Sequence, residues 1–342
     1  MTRPVAPLRL VTLVATAPSL LGVMLLATLG CACAAGDHGE ARSNPGRAFS
    51  FALMGDAPYH DWEVWQVEQM IGSINREPVQ FVVHVGDFKN GHSRCSDGLF
   101  QQRMEMFSRS LHPFIYVPGD NEWTDCHRAS AGSYDPVERL DKLRAVFFED
   151  ERSLGVNRLA LVRQSSDPRF ARYRENVRWE MGDVLFVGLN VPGSNNNFGR
   201  AADADAEYRE RSQANATWLA DAFRIARQKD LAGLAIFIQA DPNFGLNRLR
   251  KARNGYRGFL SQLAAEAQAF KRPVLLAHGD THEYVVDRPL RDPATGTPIR
   301  NVLRVETFGS PTVNWVRISV DRDDPQVFRV EPGEKNEPPS GP

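Results

Sequence analysis

The chain has almost no net charge and very little cysteine. Its 41 basic and 42 acidic residues leave a formal charge of −1 over 342 residues. Without a long-range positive field there is nothing to recruit nucleic acid or an acidic membrane, so a dedicated nucleic-acid binder is excluded. No internal repeat is visible. Of the four cysteines, Cys31 and Cys33 fall in the first 34 residues, which leaves Cys95 and Cys126 for the remainder.

Hydrophobic residues make up 42% and charged residues 24% of the chain, enough to bury a full core in one large domain or two small ones. At the amino end, Arg3 and Arg9 precede an apolar stretch from Leu10 to Leu29, and Ala32-Cys33-Ala34 supplies the small residues of a signal-peptidase site. Residues 1–34 therefore read as an export signal. The destination is periplasmic or extracellular, with a lipid-anchored form through Cys31 as the alternative. Residues 35–47 read as a polar linker, 48–331 as the folded domain and 332–342 as a disordered tail. An oxidising destination favours a Cys95–Cys126 disulfide.

Strand-length apolar runs span 49–54, 80–85, 114–117, 184–189, 234–238 and 274–277. Between them, 62–75, 136–148, 204–228 and 256–270 space their apolar residues at helical intervals. This order predicts an α/β layered fold. Runs at 284–286, 302–307, 315–320 and 327–330 follow one another with no helix between, and predict antiparallel strands closing a second sheet.

The polar residues fall at strand ends. Met54 leads into Gly55-Asp56, Val85 into Gly86-Asp87, Val117-Pro118 into Gly119-Asp120-Asn121-Glu122, and Ala277 into His278-Gly279-Asp280-Thr281-His282. One Gly-Asp pair is an ordinary turn. Four at strand ends can converge on one crevice, because open α/β sheets carry their sites beyond the carboxyl ends of the strands. Carboxylates gathered there would repel one another unless divalent cations neutralise them.

In order and spacing these pieces resemble the calcineurin-like metallophosphoesterase superfamily, purple acid phosphatases included, from about Phe49 to Val320. The resemblance implies two packed mixed β-sheets flanked by helices, a four-layer α/β/β/α sandwich. It implies a metal-dependent phosphoesterase with two divalent cations, and a small phosphorylated substrate attacked by a metal-activated hydroxide. Asp87 would bridge the metals, Asp56 and His282 would complete one site, and Asp120 with Asp280 would serve the other.

This chain departs from the pattern. Pro58 stands where a His usually follows the first aspartate, Asp120 replaces the metal-binding Asn, and Asn121, a candidate ligand and catalytic residue, replaces the His that assists the leaving group. Gln239 and Asp241 both remain open as substitutes for the missing fourth-motif His, and Asp280 replaces the first His of the last motif. A set rich in oxygen favours Mn, Mg, Ca or Fe over tightly held Zn. His84 and His278, at strand ends, are candidate proton donors or ligands. Lys89, Arg128 and Asn190 are candidate substrate contacts. The alternative to an enzyme is a silent member of the fold that binds a ligand or metal in the same crevice.

Overall fold

The computed structural model describes residues 48–245, 253–292 and 294–333. The expected export signal, the linker, the anchor position Cys31 and the tail beyond Gly333 lie outside the described residues.

Strand β1 (Ala48–Met54) shows how the layers are built. Its side chains alternate, so Phe51 and Leu53 turn into the space between two sheets while Ala52 and Met54 turn towards helices. β1 pairs in parallel with β2 (Val82–His84), which pairs in parallel with β3 (Phe114–Tyr116). On its other edge β1 meets β11 (Val316–Asp321) antiparallel, and β12 (Phe328–Pro332) completes a sheet of order β12-β11-β1-β2-β3. Helices α1 (Asp61–Ile74), α2 (Asp97–Ser108) and α3 (Pro136–Phe147) cover its outer face.

The second sheet has the order β4-β5-β6-β7-β8-β10-β9. Its strands are β4 (Val162–Arg163), β5 (Val177–Met181), β6 (Val184–Gly188), β7 (Gly233–Phe237), β8 (Val274–His278), β9 (Val285–Asp287) and β10 (Val302–Glu306). β6, β7, β8 and β10 run parallel. Helices α4 (Ala202–Gln228) and α5 (Arg257–Phe270) pack on its outer face through Leu219, Phe223, Leu260 and Leu263. Between the sheets, Phe51 stacks on Phe81 with ring centres 4.8 Å apart, and Phe186 and Phe237 meet Phe51 edge-on. Each of these fully buried rings contributes about 1.5–3 kcal/mol. The four-layer sandwich is as expected.

Two features differ from the sequence-based expectation. The carboxyl-terminal strands do not all close the second sheet: β10 joins it parallel to β8, while β11 and β12 cross over to edge the first. Local pattern records that a segment is a strand, but not its partner. Helix α2 is not among the expected helices, since Gln101, Gln102 and Glu105 dilute its apolar spacing; its start is marked by Ser96, whose hydroxyl accepts the Leu99 N–H at 3.3 Å.

Candidate metal centre

The carboxyl ends of β1, β2 and β3 in one sheet and of β7 and β8 in the other open on the same crevice. Asp56, Asp87, Asp280 and His282 all hold left-handed backbone, with φ of 50°, 57°, 88° and 67°. Such conformations cost a non-glycine residue of the order of 1–3 kcal/mol and gather at functional sites. Glycines permit the close approach. A Cβ on Gly119 would collide with the Asp87 carboxylate, and one on Gly279 with that of Asp56.

Contacts cross from sheet to sheet. The Asp280 N–H donates to both oxygens of Asp56 at 3.1 Å. Gln239 Nε2 donates to Asp87 Oδ2 at 3.1 Å, and the Ser194 hydroxyl donates to Asp120 Oδ2 at 2.7 Å. The Asn121 N–H donates to Asp87 Oδ1 at 3.0 Å. The Asp241 N–H donates to Asp280 Oδ2 at 2.9 Å, so Gln239 meets the centre through its side chain and Asp241 through its backbone. His282 Nε2 lies 3.9 Å from Asp56 Oδ1. Asp56, Asp87, Asp120, Asn121, Gln239, Asp280 and His282 therefore come together.

Burial, followed by the charges of neighbouring carboxylates, raises Asp56, Asp87 and Asp120 well above the usual carboxylate range. Burial also raises Asp280 and Glu122, and pushes Glu306, at the end of β10, up to about 7. Among the described residues, no Lys or Arg forms an ion pair with Asp56, Asp87, Asp120 or Asp280.

Three other expected residues lie elsewhere. Lys89 is buried and donates its ammonium to the carbonyls of Asn90 at 2.8 Å and Asn121 at 2.6 Å, so it ties two loops together beneath the crevice rather than facing a substrate. Asn190 is fully buried in a network with Asn176, Glu175, Arg211 and Asn215. His84 packs among Phe107, Phe114 and Tyr116, and its Nε2 lies 3.2 Å from the Ala57 carbonyl. In each case alternation along the strand, or the need to satisfy a buried polar group, turns the side chain inward.

His278 is also fully buried, with Nδ1 2.8 Å from the Gly279 carbonyl and Nε2 without a partner. Burial lowers both His84 and His278 to about 4. Arg128 is partly exposed and salt-bridged to Asp125 at 2.7 Å. Cys95 and Cys126 form a disulfide that joins the loop after β2 to the loop after β3.

Three residues of the site, Tyr59, Ser194 and Glu306, were not singled out in the sequence, and Glu122 was named there only as the end of the third motif. The Tyr59 hydroxyl stands at the middle of the site, donating to Asp87 Oδ2 at 3.1 Å, accepting from Asn121 Nδ2 at 2.9 Å, and 3.2 Å from His282 Nε2. Burial, then the Asp87 charge, keeps its phenol neutral. Glu122 Oε1 accepts from the N–H groups of Asp87 and Gly119 and from the Tyr116 hydroxyl, clamping two loops together. Ser194 also meets Asp125 Oδ1 at 2.8 Å, and Glu306 accepts the Thr281 N–H at 2.9 Å. For Tyr59 the available signal was its place three residues after Asp56.

As the side chains stand, no three His, Cys, Asp or Glu groups among the described residues form a closed ligand set. The donors nonetheless suit divalent cations. Asp120 Oδ1 is buried with no partner. His282 Nδ1, 2.7 Å from the Ser310 carbonyl, must carry the proton that bonds it, which turns the Nε2 lone pair inward. Crowded carboxylates raised by burial are the chemistry that a cation stabilises.

No family model and no curated protein matches the sequence. Solved structures do. PhoD is 12% identical with a TM-score of 0.50, over 80% of this chain and 64% of that one. A dimetal phosphatase from Danio rerio is 14% identical with a TM-score of 0.48, over 82% and 98%. A purple acid phosphatase from yellow lupin (Lupinus luteus) seeds is 11% identical with a TM-score of 0.46, over 83% and 53%. On the overlap with PhoD and the topology of the two sheets, the chain has the fold of the calcineurin-like metallophosphoesterases.

Proposed function

We propose that the protein is an exported, metal-dependent phosphoesterase that hydrolyses a phosphomonoester or phosphodiester. The observation that carries this reading is the gathering of Asp56, Asp87, Asp120 and Asp280, buried, mutually repelling and without a Lys or Arg ion partner among the described residues. These four, with His282 and the amides of Asn121 and Gln239, would hold one or two divalent cations, Mn, Fe or Mg before Ca or Zn. When bound, the cations would supply Lewis acidity and a nucleophilic water at neutral pH.

The chain's own groups have defined tasks around them. Tyr59 and Asn121 present a hydroxyl and an amide that can orient phosphoryl oxygens without changing charge. Arg128, anchored by Asp125, offers a guanidinium at the rim. The Cys95–Cys126 bridge fixes the two loops that wall the crevice, and a disulfide accords with export.

Activity on a generic aryl phosphate after Mn loading tests the proposal. Asp87→Asn should lower it by about a hundredfold or more and weaken Mn uptake. A protein that binds no divalent ion and is inactive in both forms would sink the proposal. Asn121 favours a second reading, a silent binding protein, because an amide cannot deliver a proton to a leaving group. Mn uptake without turnover would select it.

A further inference from the structure

The chain has six tryptophans, and burial sorts them sharply. Trp123, Trp179, Trp218 and Trp315 are at most 5% exposed, whereas Trp62 and Trp65 are 54% and 60% exposed. The exposed pair stands at i and i+3 on α1, on the face opposite the buried Val67, Met70 and Ile71. α1 follows the loop that carries Asp56, so its first turn lies on the crevice side of the sheet. The His60 ring lies parallel to the Trp62 indole, 5.7 Å away and tilted by 8°.

The platform is tied rigidly to the centre. Trp62 stands three positions after Tyr59, whose hydroxyl touches Asp87 and Asn121. The buried carboxylate of Glu63 accepts the Tyr59 N–H at 2.6 Å and the His60 N–H at 3.4 Å through Oε2, and the Ser310 hydroxyl at 2.6 Å through Oε1. The Ser310 carbonyl in turn holds His282. One side chain therefore sets the aromatic surface, Tyr59 and His282 in a common frame.

We infer that His60, Trp62 and Trp65 form a stacking platform for a planar aromatic group esterified to the phosphate, which makes aryl or nucleoside phosphates the favoured substrate class. The inference rests on the phosphoesterase reading. A phosphate drawn into the crevice must leave its organic group at the rim, and large flat rings left more than half exposed after His60 has stacked on Trp62 select flat groups there.

Calorimetric titration of the Mn-loaded protein with phenylphosphonate and methylphosphonate, neither of which can be hydrolysed at its P–C bond, tests the platform. Wild type should bind the phenyl compound about tenfold more tightly, as expected for one lost stacking contact. The double variant Trp62→Ala/Trp65→Ala, altered only at exposed positions, should lose that preference while its methylphosphonate affinity is unchanged, and Trp62→Phe should restore part of it. Equal affinities in wild type, or a preference that survives the double substitution, overturn the platform alone. Binding of neither phosphonate by wild type overturns the phosphoesterase reading with it. Sedimentation with neutral phosphatidylcholine vesicles in place of aryl selectivity would assign the rings to a membrane and overturn the platform.

Discussion

Two buried polar regions of this molecule use similar residues in opposite ways. In one, Glu175 takes both arms of Arg144, at 2.9 and 2.7 Å, and Asn176 bonds Gln164, Asn190 and Asn215. Arg211, fully buried, reaches Glu207 and the Asn190 carbonyl. Burial would raise Glu175, but Arg144 outweighs it and holds the carboxyl below its ordinary value. In the other region, Asp56, Asp87 and Asp120 are equally buried, and their neighbouring charges push the same way as burial. A balanced network holds the fold together; an unbalanced one must take up protons or a counter-ion, which makes it the candidate for function.

The strongest way to break the comparison is to unbalance the balanced side. Glu175→Gln would leave Arg144 buried without its principal counter-charge and should cost about 3–5 kcal/mol in urea unfolding. A loss below about 1 kcal/mol would show that the network is not the scaffold described.

Stability against pH, measured on chelated protein, sharpens it next. His84 and His278 take up protons near pH 6.5 when unfolded but only near 4 when folded. Their contribution, of the order of 3 kcal/mol apiece, is complete above pH 6.5 and is lost as pH falls towards 4. The crowded carboxylates run the other way: folded, they hold protons above their ordinary 3.8, so the stability they give at acid pH is lost as pH rises. The two effects oppose each other between about 4 and 6.5, and Glu306, pushed up to about 7, carries the carboxylate decline on to about that pH. Mn should abolish that decline. A chelated protein whose stability at acid pH gains nothing relative to the Mn-loaded protein would mean that the acids are not crowded in solution.

The smallest effect concerns the turn that carries Ser194 to Asp120. Ser194, Asn195, Asn196 and Asn197 hold φ of 46°, 56°, 57° and 62°, an unusual left-handed run. Asn195→Ala should cost about 1–2 kcal/mol by thermal unfolding, both for the strained backbone and for its lost bond to the Phe198 carbonyl. Asn195→Gly, relieved of the Cβ strain, should cost less.

Much of the candidate centre was legible because strand-end loops in an α/β fold are written as short strings: strand, glycine, carboxylate. Asp56, Asp87, Asp120, Asp280 and His282 were found that way. Tyr59, Ser194 and Glu306 were not, since each reaches the centre from a place whose local pattern is an ordinary turn or strand end. Lys89 and Asn190 were misplaced for the converse reason. A polar residue beside a site and one beneath it look alike until burial is known.

By itself the sequence determined the alternation of strands and helices, the layered class and the acids at strand ends, because periodicity and turn chemistry act over a few residues. Only the tertiary structure decided that β11 and β12 edge the first sheet, that Gln239 meets Asp87, and that Trp62 and Trp65 remain in solvent. Those outcomes depend on which surfaces meet across distances of up to hundreds of residues, and packing settles that for the whole chain at once.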